Sequence, residues 1–268
     1  MTATQHTTIG IIGGLGWLGS ALMNAALDHP PLEQVRFVVS SRRPAPQGLP
    51  ERVSFTHDNQ TLVDASDLIV LSIRPQDWAE LALDMTGKTL ISFMAGVPSN
   101  DLQARHTPSH LIRALPNGAC SVKQSYTPWY ANKELDPALE CLIRNLLESF
   151  GYQDRYETED HIDVLTAISG AGPGYPALLA QALEQSAIGL GLPADKARRA
   201  VNATLKGSGH LIEDLTQSPE QTVTLLESYQ GTTAAGLSQM KASGYTQIVE
   251  SGVRAAYQKA LNFQSSED

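Results

Sequence analysis

Two kinds of apolar pattern run along this chain, and the change from one to the other falls near Glu159-Asp160. Before it, short apolar runs alternate with helical periodicity. Residues 8–12 form a β-branched run and predict a first strand. A glycine-rich turn follows, then a helix over residues 20–27 that ends at Pro30-Pro31. Residues 35–39 predict a second strand, which completes a βαβ unit of about thirty residues. Residues 61–66 read as helix. Residues 68–73 are apolar throughout, as in a strand buried on both faces. A helix is predicted over 77–85 and strands over 89–93 and 111–114. Residues 126–130 also read as strand, and Pro128 among them predicts an edge position. An amphipathic helix over 137–150 and a short strand over 151–156 close this half. The alternation predicts an α/β fold: a Rossmann-type, doubly wound, mostly parallel sheet.

Beyond residue 159 only helical periodicity remains. Residues 162–190 are apolar on more than one face and rich in Ala and Gly. A helix apolar all round is buried against several neighbours. In a helical region this small, that points to a second subunit. Further helices are predicted over 193–207, 219–227, 232–241 and 245–263. The expected division is a dinucleotide-binding domain over 1–158 and an all-α dimerisation and substrate domain over 159–268.

The bulk properties narrow the class of partner. The 268 residues carry a net charge of −9, which argues against nucleic acid. Cys120 and Cys141 have no metal-ligand or redox spacing, so no metal site is expected. No apolar run reaches the roughly 18 residues of a membrane span. The first residues lack the pattern of a secretory signal. A cytoplasmic protein is the expectation.

Gly14-Leu15-Gly16-Trp17-Leu18-Gly19 lies between the first strand and the first helix. Glycines in that context allow a tight turn, close approach of a pyrophosphate and close helix–strand packing. The second strand ends in Ser40-Ser41-Arg42-Arg43 rather than in the acid that holds an NAD ribose. Hydroxyls and guanidinium groups suit a phosphate. They predict NADPH, with NADH as a second option, and Ser41, Arg42 and Arg43 as contacts. Ile73-Arg74-Pro75 and Ala95-Gly96 follow buried strands, at the carboxyl edge where ligands of such sheets lie. Near the C-terminus, Ser228-Tyr229-Gln230-Gly231-Thr232-Thr233 precedes a predicted helix. Its backbone N–H groups and hydroxyls suit a small carboxylate.

Together these residues resemble the pyrroline-5-carboxylate reductase family over nearly the whole chain. The resemblance runs through Ile9-Gly10-Ile11-Ile12-Gly13, Asp58-Asn59, Ile73-Arg74-Pro75-Gln76, Ala95-Gly96-Val97 and Leu115-Pro116-Asn117. It continues through residues 168–175 and ends at 228–237. It implies reduction of Δ1-pyrroline-5-carboxylate to L-proline with NAD(P)H. It also implies a homodimer through the C-terminal helices, with larger rings of dimers in some members. By position, Ser228, Gly231, Thr232 and Thr233 would hold the substrate carboxylate, and Thr233 would also meet the ring nitrogen. Asn59 would contact the adenosine side of the cofactor and Asn117 the nicotinamide side. Tyr229 and Gln230 replace the usual Pro-Gly, and Gly118 replaces a usual Thr. Arg74 stands where the family has Lys.

The chemistry so implied is hydride transfer to an imine carbon. A protonated cyclic imine is already a good electrophile, so positioning carries much of the rate. Thr233 is the expected catalytic residue. Alternatives remain: a related imino acid with a six-membered or sulfur-containing ring, a prephenate- or hydroxyacid-type dehydrogenase, and a non-catalytic NADP-binding paralogue.

Overall fold

A computed structural model of the chain describes residues 6–213 and 217–262. Its contacts divide the chain into two compact units, one of residues 1–171 with 256–268 and one of residues 172–255.

The first unit is an eight-stranded sheet in the order β3-β2-β1-β4-β5-β6-β7-β8. β1 (Thr8–Ile12) pairs in parallel with β2 (Arg36–Ser40) on one side and β4 (Leu68–Leu71) on the other. β3 (Val53–Thr56) extends one edge, and β5 (Thr89–Ser92) and β6 (His110–Ala114) continue the parallel run towards the other. β7 (Ser125–Ala131) is antiparallel to β6 and parallel to β8 (Gly151–Arg155). Side chains alternate across the sheet with period two. Val70 and Ile91 therefore join a core with α1 (Trp17–Leu27), while Ile69, Leu71 and Leu90 join a second core with α2 (Asn59–Asp64). Both faces are covered, as a parallel sheet requires.

Four departures from the sequence pattern have visible causes. α3 spans only Pro75–Trp78, not residues 77–85. Tertiary partners take the groups a longer helix would use. Arg105 donates to the carbonyls of Ala79 and Leu81, His106 donates from Nδ1 to Leu83 O at 3.0 Å, and Met85 N–H donates to His106 O. His106 and Arg105 belong to α4 (Ser99–His106), which the periodicity does not announce. β7 is interior despite Pro128. The proline carbonyl still accepts from Leu115 N–H at 3.0 Å, and fully buried Trp129 donates to Gln153 Oε1 at 2.6 Å. Burial of that indole outweighs one missing donor. β3 is a four-residue edge strand too short to stand out in the pattern. Finally, residues 162–190 are not one helix. α5 (Pro137–Glu148) and β8 are followed by α6 (Asp160–Leu165), a π-helical turn over Thr166–Gly170 and a break at Gly172-Pro173. Proline cannot continue the i→i−4 ladder.

The second unit is helical. α7 (Gly174–Gly189) and α8 (Ala194–Ile212) are linked through Gly191 at φ +99° and tied by Arg198–Glu184 at 3.0 Å. α9 (Pro219–Ser228) starts with a capping box of Ser218 and Gln221. α10 (Thr232–Ala242) and the part of α11 (Tyr245–Asn262) up to residue 255 follow. The predicted end of the last helix at Phe263 lies outside the described residues.

Candidate cofactor crevice and substrate turn

Strand order reverses between β1 and β4, and a crevice opens at their carboxyl ends, where such sheets bind ligands. β1 runs into Gly13 at φ +82°, a conformation that favours glycine. The N–H groups of Gly13 and Gly14 both donate to Ser40 O, at 3.1 and 3.0 Å, and clip the turn to the end of β2. A Cβ on Gly14 would lie 2.7 Å from Val39 Cβ, and one on Gly19 2.6 Å from Gly13 O. These two glycines therefore serve close packing, and α1 can approach the sheet. α1 has no side-chain cap and no acid in its first turn. The N–H groups of Trp17 and Leu18 lack intrahelical acceptors by their position and suit an anion.

A cavity of about 940 Å³ occupies the crevice. It gathers nine of the residues expected from sequence: Gly16, Trp17, Leu18, Ser41, Arg42, Arg43, Asn59, Ile73 and Arg74. Ser40 Oγ donates to Asn59 Oδ1 at 2.7 Å, which orients the amide, and Arg43 Nη1 donates to Leu15 O at 3.1 Å. Gly14, Leu15, Pro75, Ala95, Gly96 and Asn117 do not line the cavity. Gly14 packs behind the turn, and Pro75 starts α3. Gly96 makes a turn after β5 at φ +68°. Asn117 works as a strut. Its Oδ1 accepts from Ala119 N–H, and its Nδ2 donates to Ser169 O at 2.9 Å. Next to it, Gly118 leaves room for the exposed Trp17 indole. A Cβ there would sit 3.1 Å from the ring, so a larger side chain would press on it.

The cavity also holds groups that the sequence reading passed over. His57, at the end of the unrecognised β3, donates from Nδ1 to Ser41 O at 3.0 Å. Asp77 binds two of the arginines, and its i,i+3 spacing from Arg74 was the available signal. The hydrogen bond from Arg74 holds the Asp77 carboxyl below its usual range. Burial pushes the Cys120 thiol up. His106 is fully buried. Burial lowers its pKa, and its neutral ring accepts from Trp78 Nε1 at 2.8 Å. In β6, buried Arg113 meets Glu159 at 2.8 Å and Asp163 at 2.9 Å. Burial opposes ionisation of Glu159, but hydrogen bonds from Ser99 and Arg113 outweigh it and hold its pKa below the usual value.

The predicted carboxylate turn belongs to the helical unit. α9 ends at Ser228, whose Oγ donates to Leu225 O at 2.7 Å. Gln230 takes the left-handed conformation at φ +52°, and Gly231, at φ −96°, is the N-cap residue of α10. Thr232 and Thr233 stand at the first two positions of that helix, exposed. Among the described residues no three His, Cys, Asp or Glu side chains group as a metal site, and no helix is long and apolar enough to cross a membrane.

Comparison with known proteins agrees with this fold. Residues 8–96 match the family described as NADP oxidoreductase coenzyme F420-dependent. Residues 159–263 match the one described as Pyrroline-5-carboxylate reductase dimerisation. The pyrroline-5-carboxylate reductase of Synechocystis sp. is 27% identical, over 94% of this chain and 96% of its own. The structure of 1-pyrroline-5-carboxylate reductase from Streptococcus pyogenes superposes with a TM-score of 0.82 at 27% identity, covering 95% of this chain and 98% of that one. A Plasmodium falciparum pyrroline carboxylate reductase with NADP bound shares the fold, with a TM-score of 0.83 at 23% identity over 97% and 98% of the two chains. Fold and crevice thus define an NADPH-using oxidoreductase with a C-terminal helical region for self-association. Within that class, the chain is similar along nearly its whole length to pyrroline-5-carboxylate reductases.

Proposed function

We propose that this protein reduces the C=N bond of Δ1-pyrroline-5-carboxylate with NADPH to give L-proline, the last step of proline biosynthesis, in the cytoplasm. The observation that carries this is the end-to-end likeness to pyrroline-5-carboxylate reductases, on a chain whose crevice carries Arg42 and Arg43 rather than an acid just after β2.

The residues present fit the cofactor. The uncapped start of α1 supplies N–H donors for the pyrophosphate, and the absence of an acid in its first turn leaves that positive end unopposed. Ser41, Arg42 and Arg43 take the 2′-phosphate, and Asn59 contacts the adenosine side. NADPH, when bound, supplies the hydride. In the helical unit, the N–H groups of Gly231, Thr232 and Thr233 hold the substrate carboxylate, assisted by the Ser228 hydroxyl. The Thr233 hydroxyl donates to the ring nitrogen and orients it. The functional division we propose is residues 1–158 for cofactor binding and 159–268 for dimerisation and substrate. The unit that associates is a homodimer.

The test is NADPH oxidation by the purified protein with Δ1-pyrroline-5-carboxylate, beside NADH and a six-membered imino acid. Rapid turnover of the five-membered ring with NADPH is expected. Tight NADPH binding without that turnover would move the reading to another imine or to a non-catalytic role. In Thr233→Ala, kcat should fall about tenfold or more, as for loss of a positioned proton-handling group. An unchanged rate would remove Thr233 from the mechanism.

A further inference from the structure

Arg42, placed at the 2′-phosphate, and Arg74, at the end of the strand β4, converge on one carboxylate. Arg42 Nη2 lies 3.4 Å from Asp77 Oδ1. Arg74 donates from Nε to Oδ2 at 2.9 Å and from Nη2 to Oδ1 at 3.3 Å. Arg42 comes from the loop after β2, and Arg74 and Asp77 come from the start of α3, after β4. The link therefore crosses the mouth of the cavity that all three residues line. The Asp77 side chain is 24% exposed, while Arg42 is 84% exposed and Arg74 66%. The acid is the fixed member, and Arg42 is the one free to move. The hydrogen bond from Arg74 lowers the acid's pKa further below the neutral range, where it is ionised in any case.

A phosphate that takes Arg42 by its two parallel donors must draw it away from Asp77 or share it. In either case an anion a few ångströms away repels the incoming phosphate. A cofactor without the 2′-phosphate meets neither cost. Building on the function proposed above, we infer that Asp77 is a specificity-setting residue. It stands in for the 2′-phosphate on Arg42 when no nucleotide is bound, competes with it on binding, and so lowers the preference for NADPH over NADH. The same competition speeds release of the 2′-phosphorylated product.

The test compares the full-length wild type with Asp77→Asn, a nearly isosteric change at a partly exposed position. The probes are NADPH and NADH in turnover, and 2′,5′-ADP and 5′-AMP in direct binding. The ratio of kcat/KM for NADPH to that for NADH should rise about fivefold, through KM rather than kcat, as expected for removing one nearby like charge in a water-rich site. Binding of 2′,5′-ADP should tighten to a similar extent and that of 5′-AMP should stay the same. In an Arg42→Ala background, the effect of Asp77→Asn should shrink towards unity. A ratio that stays constant or falls, or an effect that persists without Arg42, overturns the inference and leaves the NADPH reading intact. A wild type that binds 2′,5′-ADP no better than 5′-AMP defeats the reading of the basic rim, and this inference with it.

Discussion

The sheet unit and the helical unit solve the problem of burial in opposite ways. In the sheet unit, helices cover both faces, and side chains such as Ile9, Leu71, Ile112 and Trp129 are fully buried within the chain. In the helical unit, Ala197 and Val201 are the only buried residues among those described between 172 and 255. Leu178, Leu190, Leu211 and Ile248 are each more than 60% exposed there. Surfaces so apolar in a single chain mark an interaction site. The crevice at the carboxyl ends of the sheet is lined by residues of one chain, whereas the helical unit leaves apolar surface open for self-association. The candidate substrate turn is carried by the unit that depends on a partner, so substrate binding should depend on assembly more than cofactor binding does.

The largest single effect is expected inside the sheet unit. Arg113→Met removes the cation that meets buried Asp163 and partly buried Glu159, and should cost about 3–5 kcal/mol in denaturant unfolding. An effect below 1 kcal/mol would mean that this cluster does not brace the sheet. In the helical unit, Leu178→Glu should weaken assembly by roughly 2–3 kcal/mol per copy if that side chain is buried against a partner. Sedimentation should then show monomers that retain NADPH binding but have lost imine turnover. Monomers with full turnover would break the contrast drawn above. For the cofactor rim, Arg42→Ala should raise KM for NADPH about tenfold and leave that for NADH nearly unchanged, the loss of one charge-assisted contact. Gln230→Gly should stabilise the turn by about 1 kcal/mol, because glycine adopts φ +52° without the steric cost borne by glutamine. An unchanged melting temperature would show that glutamine's strain is offset locally.

Acid should act on the sheet unit first. His106 and Glu159 both have folded-state pKa values below their ordinary ones. Each therefore contributes stability above its unfolded pKa that is lost as pH falls towards the folded one. For His106 the loss begins near pH 6.5, and for Glu159 near pH 4.5. Denaturant midpoints measured from pH 8 to pH 4 should decline, and His106→Gln should flatten the upper part of that decline.

Much of this molecule is written in local pattern. The sheet strands buried on both faces, the glycine turn, and the exchange of an acid for Ser41-Arg42-Arg43 follow from residue type and period, because each states a local steric or electrostatic requirement. The same holds for the start of α10 after Gly231, where a turn of glycine and threonines precedes a helical period. Other features depend on groups far apart in sequence. Residues 79–85 lose their helix because Arg105 and His106 claim their carbonyls from 20 or more positions away. Pro128 sits inside the sheet because Gln153 and Trp129 meet across two strands. His57 and Asp77 enter the crevice only when β3 and α3 are brought beside β2. Sequence alone determined which chemistry the chain carries, since that resides in residue types within short segments. Tertiary structure decided which charges face one another and which apolar faces stay open, since those are set by contacts that only the folded chain makes.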